Sequence, residues 1–206
     1  MICDPITVAG IEVPCNSPLF LMVLALHIPF GLACVVSGGV AILSRKALGR
    51  HPTFGTIYYW SLAVVFASAC ALAAMRWAED YHLFFLGMLS FAAASLGRTA
   101  RQRHWRGWVR LHISSMGLSY ILLLTAFYVD NGKNLPLWKE LPSAAYWLLP
   151  SAVGLPLIAH ALLRHPLLRQ TKGPPANIPY FPSSFWYGRH WRQHTCSSPW
   201  PGWEFL

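Results

Sequence analysis

The chain has 206 residues, 55% of them apolar and only 11% charged, with a formal net charge of +9. Charged residues make up about a quarter of an ordinary soluble domain, so a soluble globular fold is the first class this composition disfavours. Nucleic-acid binding, the other common meaning of a basic balance, is excluded by distribution: the cations fall in three short segments at helix ends, poor geometry for tracking a phosphate backbone.

Residues 1–18 read as a short external segment carrying Asp4 and Glu12. No basic stretch precedes the first apolar run, and that run is too long for a signal peptide, so no cleavage is expected. Cys3 and Cys15 would share the oxidising side, where a bridge between them is open. Uncharged stretches follow at 13–44, 52–75, 81–97, 111–129 and 141–163. A helix rising about 1.5 Å per residue needs roughly 20 residues to cross about 30 Å of hydrocarbon. Four of the stretches suffice and 81–97 is marginal. Segments such as LLLTAFYV and SLAVVFASACALAAM lack the polar face that a soluble helix would carry. The expected fold is therefore an all-α integral membrane protein, a bundle of five transmembrane helices within residues 19–163.

Lys and Arg collect on the cytoplasmic side of short loops. Arg45, Lys46 and Arg50 stand between the first two helices, and Arg98, Arg101, Arg103, Arg106 and Arg110 between the third and fourth. Arg164, Arg169, Lys172, Arg189 and Arg192 follow the fifth. The other side receives Arg76, Lys133 and Lys139 and every acid except Glu204. This places the N-terminus outside and the C-terminus in the cytoplasm. Residues 164–206 form a cytoplasmic tail whose prolines forbid a long helix and whose Trp186, Trp191, Trp200 and Trp203 suit the headgroup level.

Within the bundle, Pro29, Pro150 and Pro156 are expected to kink their helices. Small residues at Gly31, Cys34, Ser37 and Gly38, and at Gly87, Ala93, Ala94 and Gly97, are expected to pack helices closely. No repeat divides the chain into matching halves, which weakens an inverted-repeat transporter. No CxxC, CxxCH, HExxH or Gly-x-Ser-x-Gly occurs, so zinc-ribbon, covalent-haem and common hydrolase chemistries lack support.

Ionisable groups inside a membrane are functional candidates by default, and the uncharged stretches leave only histidine. His27 lies on the outer side, too far along the normal to share a ligand with His112. It is expected to hydrogen-bond a neighbouring helix. His82, His104 and His165 read as headgroup or backbone-bonded residues. His51, His112 and His160 lie level at the inner interface, and Ser115 and Ser119 continue the His112 stripe at helical spacing. Imidazole is an axial ligand of haem iron, and bundles build cofactor sites from facing helices. A haem b with His51 and His112 as metal ligands is thus geometrically allowed.

The segment GRHPTFGTIYYW resembles the His-x-x-x-Gly-x-x-Tyr signature of an uncharacterised family of bacterial multi-pass membrane proteins. LHISSMGLSYILLLTAFYVDNG, LPLW and WLLPSAVGLPLI are similar to that family's later helices. The resemblance covers residues 20–163 and implies a compact bundle in a bacterial inner membrane, with recurring histidines at His51 and His112 and no assigned reaction. Where relatives carry a basic residue after the motif histidine this chain has Pro52, so a phosphate or carboxylate contact there is not carried over.

Three functions follow as expectations. The first is a small redox protein, binding haem b or interacting with quinone through the inner histidines. The second is a carrier or sensor with a polar path along Ser115, Ser119, Thr125 and Tyr128. The third is an accessory subunit of a membrane complex, its helix faces meeting the lipid bilayer, a larger membrane-protein partner or a second copy.

Overall fold

A computed structural model describes residues 6–8, 11–13, 17–44, 49–135, 140–165 and 168. Five helices are long and apolar enough to cross a membrane. They are α1 (Pro18–Leu43), α2 (Arg50–Met75), α3 (Trp77–Gln102), α4 (Trp108–Asn131) and α5 (Ser143–Arg164). A short antiparallel ladder, β1 (Ile6–Val8) with β2 (Ile11–Val13), precedes them and pairs Ile6 with Val13, an addition to the all-helical expectation. Cys3, Cys15 and most of the tail lie outside the described residues.

The third helix is longer than its uncharged run. It begins at Trp77 with Glu79 and Asp80 in its first turn and ends at Gln102 with Arg101 in its last. Acids at a helix N-terminus and bases at its C-terminus complement the helix dipole, so charge that ends an apolar run continues the helix. Pro29 lies inside α1, and Pro150 and Pro156 inside α5, without ending either.

Consecutive helices run antiparallel. α1 packs along α2 and α3 along α4, with α2 beside α3 and a light contact between α1 and α4; α5 packs on α4. α2 and α4 therefore run parallel on a diagonal, and their long side chains meet in the middle. Tyr58, Leu62 and Cys34 fill that core, each about 1% exposed or less, with Val65, Ala94 and Leu123 around them.

Small residues set the closest approaches. A side chain at Gly38 would run into the ring of Tyr120, whose hydroxyl donates to the Val35 carbonyl across the α1–α4 contact. Gly117 and Gly154 receive Ile158 and Ile121, one from each of α4 and α5. Gly31, expected to pack, meets nothing within 4 Å.

The exterior is apolar. Met22 is 71% exposed, Leu32 65%, Leu148 66% and Leu163 74%. Soluble monomers rarely leave continuous apolar surface of this kind in water.

Candidate functional site

The antiparallel order gathers the C-terminal ends of α1, α3 and α5 with the N-terminal ends of α2 and α4. That end carries Arg50, Arg98, Arg101, Arg103, Arg106, Arg110 and Arg164. Arg98 lies over the Tyr59 ring, 4.6 Å from its centre. The opposite end carries Arg76 and Lys133 with Glu79, Asp80, Asp130 and Glu140.

At the basic end His51 on α2 and His112 on α4 meet across the diagonal. Their ring centres are 6.4 Å apart with planes at 86°. Each ring is held by backbone from a neighbouring helix: His51 Nδ1 lies 2.8 Å from the Ala41 carbonyl of α1, and His112 Nδ1 lies 3.0 Å from the Gly97 carbonyl of α3. A carbonyl only accepts, so Nδ1 carries the proton in both rings. That tautomer leaves ligation to Nε2.

One layer deeper, Tyr58 and Ser119 repeat the same meeting. His51 to Tyr58 and His112 to Ser119 are both seven residues, two helical turns or about 10.5 Å. The hydroxyls form a closed chain. Ser90 donates to the Ser119 carbonyl at 2.9 Å, Ser119 Oγ lies 3.3 Å from Ser90 Oγ, and Tyr58 Oη lies 2.7 Å from Ser119 Oγ. With Ser90's proton committed to the carbonyl, Tyr58 donates to Ser119 and Ser119 to Ser90. Every hydroxyl proton then has an acceptor in a region without water.

The other candidates fall apart from this pair. His160 is exposed on α5, outside the α4 face that carries His112. Ser115 and Thr125 are buried, but Thr125 donates to the Ile121 carbonyl of its own helix at 2.9 Å, and Tyr128 is half-buried further along. His27 sits towards the acidic end, its Nδ1 2.8 Å from Ser68 Oγ, as expected of a helix-to-helix bond. Tyr58 and Ser90 escaped the sequence reading, although Tyr58 is the tyrosine of the His-x-x-x-Gly-x-x-Tyr segment and lies on the His51 face.

Cavities on the described residues include two that bear on the site. One of about 590 Å³ is an apolar groove along α2, walled by Phe30 and Trp60. The other, about 420 Å³, lies at the acidic end. Neither is lined by His51 or His112. No group of three or more His, Cys, Asp or Glu placed to hold a metal ion occurs among the described residues. Comparison with family models, curated proteins and solved structures returns no significant match, so function has to be argued from the site's own chemistry.

Proposed function

We propose that the chain is a multi-pass membrane protein of the cell membrane, with its C-terminus in the cytoplasm, and that His51 and His112 hold a b-type haem near the cytoplasmic face. The apolar exterior supports insertion, and the separation of arginines from acids between the bundle ends supports the orientation.

The observation that carries the haem reading is the anchored pair. Two imidazoles from facing helices, each fixed by a backbone carbonyl, are the residues that would hold such a haem. The pair stands at 6.4 Å. Ligating histidines characteristically donate their other N–H to a carbonyl, which fixes ring orientation, and both rings do so here. A haem held there would supply one-electron transfer. The chain's own contribution is to hold both imidazole rings together on the bundle diagonal. The Tyr58–Ser119–Ser90 layer beneath them keeps that diagonal fixed and dry.

The same two hydrogen bonds also suit a second reading, in which the histidines only staple α2 to α1 and α4 to α3. A reduced-minus-oxidised visible spectrum of the purified protein, expressed with haem supplied, separates the two. A haem b spectrum in the wild type, lost in both His51→Ala and His112→Ala, is expected. A colourless, folded wild type leaves only the staple.

A further inference from the structure

The cavity at the acidic end opens between α3, α4 and α5. Tyr81, His82, Tyr146 and Trp147 wall it, and Lys133 and Ser143 stand at its edge. The His82 ring centre lies 5.6 Å from Tyr81 and 6.1 Å from Trp147. Gly132 packs against Tyr146: a Cβ there would meet its ring carbons at 2.7–2.9 Å. At about 420 Å³ the space is in the range of small-molecule sites.

Its lining selects among ligands. Four aromatic or imidazole rings favour a flat ring. The Lys133 ammonium and the Ser143 hydroxyl are donors, so the ring should carry acceptor oxygens at its rim. Carboxylates near His82 disfavour an anion. Asp80 and Asp130 each interact electrostatically with His82 and with Arg76, and these carboxylates offset the cations that an anionic ligand would need. A neutral ring bearing carbonyl oxygens keeps the hydrogen bonds without the repulsion. Trp147 of the lining is followed on α5 by Leu148, 66% exposed, apolar surface that suits a hydrocarbon tail.

We propose that this cavity binds the head ring of a membrane quinone, at the end of the bundle opposite the histidine pair. The proposal rests on the membrane redox reading and adds to it the class of small molecule with which the protein would interact.

The test titrates full-length protein in detergent with a benzoquinone bearing a decyl chain, measuring uptake by equilibrium dialysis against empty micelles. One saturable site per chain is expected. The exposed Lys133→Ala and Ser143→Ala changes, combined, should weaken it by about tenfold or more, the equivalent of losing one or two hydrogen bonds. Trp147→Ala should weaken it as well, while His51→Ala and His112→Ala should leave it unchanged. Uptake no greater than that of micelles, equal uptake by every variant, or stronger binding of a naphthoate anion than of the quinone would each overturn the proposal. Because the His51 and His112 variants remove the haem ligands and leave the cavity, failure of the haem reading leaves the isotherm standing. A haem spectrum beside a flat isotherm sinks the quinone site alone.

Discussion

The two ends of the bundle treat histidine in opposite ways. At the basic end, His51 and His112 give Nδ1–H to backbone carbonyls and face each other, with arginines on the adjoining turn. At the acidic end, His27 and His82 both lie within electrostatic reach of Asp130. The first pair is fixed by carbonyls and carries the proposed haem site; the second stands near a carboxylate, at the end that holds the proposed ligand cavity. On that contrast rests the proposed assignment of metal binding to one end and ligand recognition to the other.

The sharpest way to break that assignment is to remove histidines one at a time. His112→Ala should abolish the haem spectrum, since it removes one of the two residues that would hold the haem. His82→Ala and His27→Ala should retain it in full. A spectrum that survives His112→Ala, or vanishes in His82→Ala, would put the chemistry at the wrong end. The orientation gives a second all-or-none outcome. In a background lacking the five native cysteines, an impermeant maleimide should label Asn134→Cys in spheroplasts. Gln102→Cys should react only after permeabilisation. Labelling of Gln102→Cys from outside would invert the orientation and move the arginines to the wrong face.

What joins the two ends is the core, and there the expected effects are graded. Tyr58→Ala removes a fully buried ring from the centre and should cost about 3–5 kcal/mol of stability, measured by denaturant unfolding in micelles. A loss below about 1 kcal/mol would mean the diagonal contact does not organise the bundle.

Much of this arrangement was legible in the sequence, and what was not has identifiable causes. Span lengths located all five helices, because hydrocarbon thickness fixes length. They misjudged α3, because Glu79, Asp80, Arg98 and Arg101 end an apolar run without ending a helix. Depth along the helix brought His51 and His112 level, but depth says nothing of direction around the axis. His160 is on the last turn of α5 at the same end, yet it is exposed because α5 packs outside the diagonal. Ser119 was noticed and its partners were not. Tyr58 and Ser90 become partners only once α2 is known to face α4, and a neighbour-by-neighbour reading cannot supply a diagonal.

The smallest expected effect tests that diagonal most directly. Tyr58→Phe and Ser119→Ala each remove one group from a chain in which every proton has an acceptor. Hydrogen bonds between membrane helices average about 0.6 kcal/mol and reach about 1.7 in double-mutant cycles, because the separated helices also find partners. The Tyr58 bond is short at 2.7 Å and its ring is fully buried, so its coupling to Ser119 should lie in the upper part of that range. The cycle of the two single variants and the double variant isolates the pair, since Phe keeps the ring's packing and Ala leaves the Ser90 bond to the backbone carbonyl intact. A coupling near zero would mean that the hydroxyls only tolerate each other. The histidine layer two turns away would then have to be held by its own carbonyl bonds, and removing the knot should leave the haem spectrum unshifted. A coupling above about 1 kcal/mol ties the two layers into one frame, and Tyr58→Phe should then perturb the spectrum of a haem it does not touch.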